Sequence, residues 1–331
     1  MTLRSVARGP YFEELRRGQV FADAPAVTVT SGLSAAHQAI VGNRLRLTLD
    51  ERLAARVAGE SPLASPGLVW DLAIGQSTAA TQNVRANLFY RGLVFSRFPR
   101  IGDTLTTVTT VEALRQNSRR EGRAPTGLAA LRIRTTDQQS RTVLDFWRCA
   151  MIPLGDHDRE TDAADDLEAV GADVTDSALR AGLAAWDLAA STLAPAPTMD
   201  VGDEVEVAGG DVISSAPELA RLTFNLAAVH HDARAAGGRR LVYGGHTIGI
   251  ALSQVTRAFP GLLTVVGWHG CDHLGPVHEG DTLRSLVTLE RLNDLDGGGR
   301  LAHLRVQVSA DGETAGADRP VLDWRPVGVF G

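Results

Sequence analysis

The chain has 331 residues, 44% of them apolar, which is enough for two packed cores and argues against global disorder. Its formal charge is −6, from 33 basic and 39 acidic residues, so a nucleic-acid partner, which needs a dense basic stripe, is disfavoured. Every basic residue is an arginine, leaving no lysine for Schiff-base or general-base work.

The opening residues, MTLRSVARGPYFEELRRGQ, contain no apolar core of the length a secretory signal needs, and no run approaches the ~18 apolar residues of a membrane span. A soluble, cytoplasmic protein with no membrane partner is expected. Cys149 and Cys271 form neither a disulfide framework nor a metal signature. In chain order, a strand-like stretch over 24–32 precedes a short helical segment, and an apolar helix is predicted over 67–80. Alternating β-type runs follow over 104–114, 126–136 and 143–152. A polar, acidic stretch over 155–166 reads as a linker, helical spacing recurs over 177–190, and APAP at 194–197 is a second break. A strand-like stretch over 209–215, a long helix over 245–258 and β-type runs over 282–292 and 300–309 then repeat the first pattern.

The repetition is also literal. Gly102-Asp103-Thr104-Leu105 recurs as Gly280-Asp281-Thr282-Leu283, and Val143-Leu144-Asp145 as Val321-Leu322-Asp323, both at an offset of 178 residues. The two long helices begin at the same offset. A helix followed by a strand meander implies an apolar helix wrapped by an antiparallel sheet, an α+β layer written twice. In the first helix Trp70 is read as core, and Asp71 as a buried carboxylate in need of a partner.

The chemistry concentrates in residues 223–249, TFNLAAVHHDARAAGGRRLVYGGHTIG. Asn225 and His230 lie five residues apart on a turn followed by a short helix, a spacing that can bring both into one pocket. A histidine can move protons between water and carbon, whereas an amide can orient a water without taking its proton. Core packing would account for both residues equally well. Neighbours on a helix diverge by roughly 100°, so His230 and His231 cannot share one pocket; Asp232 could cap or neutralise a neighbour. Arg239 and Arg240 could meet phosphates or a substrate carboxylate, or form a solvated pair. Gly244, Gly245 and His246 open the second long helix. Its leading amides lack intrahelical partners, and its positive end suits a developing oxyanion. The mixed cluster His269, Asp272, His273 and His278 fits no strong metal signature and is read as structural or pocket rim.

Thr223 to His230 resembles the hydratase-2 motif of MaoC-like, (R)-specific enoyl-CoA hydratases, in which an aspartate and a histidine are followed by a glycine at the start of the central helix. The stretches LVWDLAIGQST, NLFYRG, VLDFWRCAMIP, VHHD, RLVYGGH and GWHGCDHLGPVHEGDTL are similar to the mesaconyl-CoA hydratase (β-methylmalyl-CoA dehydratase) branch of that family. The resemblance implies a double hotdog, two joined antiparallel sheets each wrapped around a long helix. The expected units are an N-terminal hotdog over 1–153, a linker with a helix over 154–197 and a C-terminal hotdog over 198–331 carrying the motif. It implies reversible addition of water to an α,β-unsaturated acyl-CoA, with a mesaconyl-CoA-like ester as a candidate, by a hydro-lyase. Asn225, His230 and the Gly245 N–H would be catalytic, with Asp232 a further candidate. Arg239, Arg240, Tyr243, Gly244 and His246 would bind substrate. It implies an acyl-CoA partner, no cofactor beyond the CoA of the substrate, no metal, and a monomer or homodimer.

The departures from the pattern are specific. Asn225 stands where the family carries aspartate, and Ala227 and Ala228 replace its asparagine and proline. In the first half only His37 survives, with Gly32 at the aspartate position, so the active site is expected in the second half. With asparagine in place of aspartate the acid–base contribution is expected to be reduced unless another carboxylate, such as Asp232 or Asp272, reaches in. Two alternatives remain open: a non-catalytic acyl-CoA-binding paralogue with a decayed site, and an acyl-CoA thioesterase.

Overall fold

The computed structural model describes residues 6–59, 62–191, 199–311 and 318–331. Its first half runs through short strands β1 (Val20–Phe21) and β2 (Val27–Thr28), then helices α1 (Ser31–Val41), α2 (Arg46–Leu49), α3 (Glu51–Ala58) and α4 (Pro66–Gln76). A 3-10 turn over Ser77–Thr81 leads into strands β3 (Ala86–Phe95), β4 (Thr104–Gln116), β5 (Thr126–Thr136) and β6 (Thr142–Pro153). Helix α5 (Asp176–Ala181) lies in the connection. The second half repeats the plan with β7 (Glu204–Glu206), β8 (Asp211–Val212), α6 (Ala216–Leu222), α7 (Gly244–Ala258), β9 (Leu262–His273), β10 (Thr282–Asp294), β11 (Arg300–Ala310) and β12 (Arg319–Phe330).

The strands form one antiparallel sheet in the order β1-β4-β5-β6-β3-β9-β12-β11-β10-β7, with β2 and β8 pairing β4 and β10. The architecture is the α+β double hotdog. The repeat is visible in register: β2 meets β4 through Val27 and Leu105, and β8 meets β10 through Asp211 and Leu283. The two halves join where β3 pairs β9, with Tyr90 opposite Cys271 and Leu93 opposite Trp268.

Burial follows from pattern. Strand β4 alternates half-buried Thr104, Thr106, Val108 and Thr110 with buried Leu105, Thr107, Thr109 and Val111, so one face meets the helices. Helix α4 starts with Pro66 in its first turn, where the missing N–H costs nothing, and all eleven of its residues are buried. A helix apolar on every side belongs in a core. α4 packs against β4, β5, β9 and α7, and α7 packs against β10, β11 and β12. Trp70 of α4 meets Trp268 at 4.8 Å and Trp324 at 6.2 Å between ring centroids, both edge-on, so the aromatic centre of the core straddles the two halves.

Two expectations are corrected. The helix expected over 177–190 ends at Ala181. Gly182 caps it, and a side chain there would sit 2.5 Å from the Phe95 carbonyl, so the chain turns along the sheet and resumes as a 3-10 turn at Leu188–Ala190. The helix expected over 67–80 is α-helical only to Gln76, where the Ser77 and Thr78 hydroxyls bond back to the Ile74 and Gly75 carbonyls. APAP at 194–197 lies outside the described residues.

Candidate active site

A cavity of ≈ 330 Å³ opens at the junction of the halves. Its walls come from the end of α4 and the start of β3 (Ile74, Thr78, Asn87, Tyr90), from Arg148 on β6, from Asn225 to His230, from Leu241 to Gly244 and Thr247 at the start of α7, and from His273 to Val277 after β9. The sequence assigned the site to the second half. The cavity instead needs both halves, because the motif loop is laid against the first-half helix.

That loop is held tightly. Gly75 lies so close that a Cβ there would stand 1.6 Å from the Thr223 carbonyl oxygen. Phe224 adopts φ 60°, an unusual value for a bulky residue, as the chain leaves α6. The Leu226 amide donates to Thr78 Oγ1 at 2.8 Å and the Ala228 amide to the Gln82 carbonyl at 3.0 Å. His231 Nε2 donates to the Asn225 carbonyl at 2.7 Å, so the second histidine of the pair braces the loop.

His230 is 8% exposed, and its Nδ1 lies 2.8 Å from the Leu241 carbonyl. A carbonyl only accepts, so Nδ1 carries the proton and Nε2 is left as the basic nitrogen for the cavity. Burial lowers its pKa to about 4, with the charges of His231 and Arg148 acting in the same direction, so the ring is neutral near pH 7. Asn225 Oδ1 accepts the Ala227 amide at 2.9 Å, which directs the Nδ2 amino group elsewhere. Tyr243 packs edge-on against His230, with centroids 5.8 Å apart, and its hydroxyl donates to Asp71 Oδ1 at 3.2 Å.

The other expected site residues divide. Tyr243 and Gly244 line the cavity, and Gly244 faces the His273 ring, 2.7 Å from where its Cβ would be. Gly245 does not line the cavity; its Cα faces Asp71 Oδ1, 2.1 Å from a hypothetical Cβ, and the Tyr243 ring. The α7 cap at Tyr243 makes no side-chain hydrogen bond, and the His246 amide returns to the Tyr243 carbonyl, so Gly244 and Gly245 carry the leading amides. His246 is buried away from the cavity, within electrostatic reach of His37. Asp232 is exposed and caps its own turn by accepting the Arg234 amide at 2.8 Å. Arg239 and Arg240 are exposed and paired with Asp281 and Glu279 at 3.1 and 3.2 Å. Asp272 is on the opposite sheet face, in a groove with Asp323 and Arg325. Among the described residues no aspartate or glutamate lines the cavity.

Of the histidine cluster, only His273 reaches the cavity. His269 instead pairs with His303 at 2.8 Å, and His278 Nδ1 donates to the Arg240 carbonyl. Among the described residues no group of histidine, cysteine and carboxylate side chains is arranged to hold a metal ion. The buried Asp71 finds its partner in His37, Nε2 to Oδ2 at 2.9 Å. The surviving histidine of the first-half motif therefore serves a buried pair behind Tyr243. Arg148 and Asn87 were not singled out by sequence, whereas His273 was read as structural or pocket rim and does line the cavity. The one available signal was an arginine among the apolar residues of β6, at Arg148.

No family model matches the chain. It is 28% identical to beta-methylmalyl-CoA dehydratase of Chloroflexus aurantiacus, over 96% of this chain and 90% of that one. It is also 28% identical to mesaconyl-CoA hydratase of Cereibacter sphaeroides, over 92% and 90%. Among solved structures, RV0216 of Mycobacterium tuberculosis, described as a conserved hypothetical protein with a double-hotdog fold, is 54% identical. It superposes with a TM-score of 0.90 over 97% of this chain and 99% of that one. A MaoC domain protein from Chloroflexus aurantiacus J-10-fl, at 24% identity and a TM-score of 0.84 over 99% of both chains, shares the fold. Among the described residues no helix is long and apolar enough to cross a membrane.

Proposed function

Because the chain belongs to the MaoC-like double-hotdog family, we propose that it is a hydro-lyase that reversibly adds water to an α,β-unsaturated acyl-CoA. The observation that carries this reading is a His230 ring anchored through Nδ1, which leaves Nε2 as its basic nitrogen, in a cavity whose wall includes the start of α7. The thioester oxygen would meet the leading amides of α7, most directly near Gly244, where negative charge develops. Asn225 would hold the water. His230 Nε2 takes a proton from that water as its oxygen bonds to Cβ, and the same proton passes to Cα as the thioester enolate collapses. The product carries hydroxyl on Cβ and hydrogen on Cα, and the enzyme returns to its starting state. No cofactor beyond the CoA of the substrate is called for.

With no carboxylate among the described residues that line the cavity, the acid–base chemistry falls to His230. The same observation counts against thioester hydrolysis, which would use a carboxylate aimed at the thioester carbon, and it favours a second reading: an acyl-CoA binder without turnover. The test is loss of enoyl-thioester absorbance over a panel of enoyl-CoAs with wild type, His230→Ala and Asn225→Asp. Hydration that falls about 10²- to 10⁴-fold in His230→Ala supports the enzyme. Release of free CoA thiol, or binding without turnover that Asn225→Asp converts into hydration, replaces it with one of the other readings.

A further inference from the structure

Asp281 and Glu279 already engage Arg239 and Arg240, so a polyphosphate would need its cations elsewhere. The hairpin between β4 and β5 supplies them. Gln116 pairs Gly127, and the loop between them carries Arg119, Arg120 and Arg123. Arg119 is taken up by Glu160 and the His157 carbonyl. Arg120 and Arg123, with Arg115 at the end of β4, are exposed, and none of these three guanidiniums makes a hydrogen bond or ion pair with a described residue. All three line one hollow of ≈ 600 Å³, whose apolar wall is Leu88, Leu128 and Met151. Among the described residues no aspartate or glutamate lines that hollow. Three cations without a carboxylate, gathered on a concave and partly apolar surface, suit a multiply charged anion that also carries a flat apolar ring.

The hollow adjoins the cavity. Strand β3 pairs β9 only from Phe89 onward, so Ala86 to Leu88 lack a β9 partner, and they line the cavity together with Leu274 to Val277. Leu88 is a wall of both spaces and packs against the cluster of Phe89, Leu128 and Cys149, on the sheet face away from the central helices. Beyond it, Met151 on β6, Leu128 on β5 and Arg115 on β4 stand opposite one another in register. The row from β3 to β4 crosses three strand spacings, about 14 Å. The pantetheine arm of CoA is uncharged and covers such a distance when extended. At its far end the adenosine 3′-phosphate 5′-diphosphate carries roughly four negative charges near pH 7.

We propose that this hollow is the nucleotide site: Arg115, Arg120 and Arg123 take the phosphates of CoA, the adenine lies on Leu88, Leu128 and Met151, and the pantetheine arm passes over Leu88 into the cavity. This inference rests on the acyl-CoA reading above and adds the residues that hold the carrier. The acyl group would then be handled at the junction of the halves and the nucleotide by the first half alone.

The experiment compares crotonyl-CoA with crotonyl-pantetheine, which keeps the acyl group and the arm but lacks the nucleotide. Affinities are measured by calorimetry with the full chain. Wild type is expected to bind crotonyl-CoA about 10- to 100-fold more tightly, the range for a few charge-assisted contacts at a surface hollow. In Arg120→Ala/Arg123→Ala that preference should fall about tenfold while crotonyl-pantetheine binds as before. The control Arg52→Ala/Arg56→Ala removes the same charge from the exposed side of α3 and should keep the preference. Equal affinities in wild type overturn the nucleotide site and leave the acyl-CoA reading intact. A preference that survives in Arg120→Ala/Arg123→Ala, or that falls as far in the control, also overturns the site. Failure of both probes to bind overturns the site and the acyl-CoA reading together.

Discussion

Replacing Gly75 by alanine should damage the candidate site from the first half of the chain. In an ordinary helix interior this exchange is stabilising by about 1 kcal/mol, because alanine loses less backbone freedom on folding. Here the new methyl would stand 1.6 Å from the Thr223 carbonyl oxygen, 2.7 Å from its carbon and 3.3 Å from the Asn225 amide. Those are backbone atoms, so no rotamer change relieves the clash, and the motif loop must retreat by about 1.5 Å. Overpacking of this severity costs about 3 kcal/mol, leaving a net loss of about 2 after the propensity gain. The loop carries Asn225 and, five residues on, His230, and a displacement of about 1 Å at reacting groups costs roughly 10²-fold in rate. At Gly249 an added methyl meets only the Val41 side chain, at 2.7 Å, so alanine there should be milder. Urea unfolding and enoyl-CoA turnover, measured on both variants, separate the cases. A Gly75→Ala protein as stable and as active as wild type would refute the claim that the two halves build one site through this contact.

The pH response follows from buried neutral histidines. His230, His246, His273 and His303 are all lowered by burial from 6.5 to about 4, so between those values the unfolded chain binds protons that the folded one does not. Their contribution to stability is full above about 6.5 and declines as pH falls toward 4. Thermal melts should therefore drop across that window, and turnover by the free enzyme should be flat above it; a melting temperature that rises on acidification would contradict the neutral assignment. The buried pair makes another prediction. His37→Ala leaves Asp71 with only Tyr243 and should cost about 3 kcal/mol, whereas Asp71→Asn keeps donor and acceptor capacity for both neighbours and should cost about 1. Equal losses in denaturant titrations would mean that charge, not hydrogen bonding, holds the pair.

Much of the fold was legible because it is written in local periodicity and written twice. Strands β4 and β10 follow the recurring Gly-Asp-Thr-Leu turn, with Gly102 and Gly280 both at positive φ, and α4 and α7 open at matching positions of the repeat, Pro66 and Gly244. Strand β3 was not identified: its Arg91-Gly92 lies at a register shift in the pairing with β6, and Gly92 is at positive φ, so alternation is interrupted. Within the site, Asn225, His230, Tyr243 and Gly244 were visible because a turn, a short helix and a helix start sit within twenty residues of one another. Arg239, Arg240 and Asp232 have the right chemistry, but Asp281, Glu279 and a local turn already engage them, and those partners are set by tertiary contacts. His37 matched the motif by residue type, yet its partner Asp71 is 34 residues away on another helix. Arg148 and Asn87 stand on different strands and acquire meaning only when the sheet brings them together, beside a His273 that the sequence had placed at a pocket rim.

The seam between β3 and β9 has a bearing on biosynthesis. When the first half emerges from the ribosome, β3 lies last in its ladder, with one row of amides and carbonyls facing solvent until β9 has been made. During that interval the nascent protein offers an adhesive border to any extended segment, including the same border on a neighbouring polysome product. Fusing two hotdogs in one polypeptide supplies a tethered closing strand at high local concentration, and it shortens the time for which that border stays open.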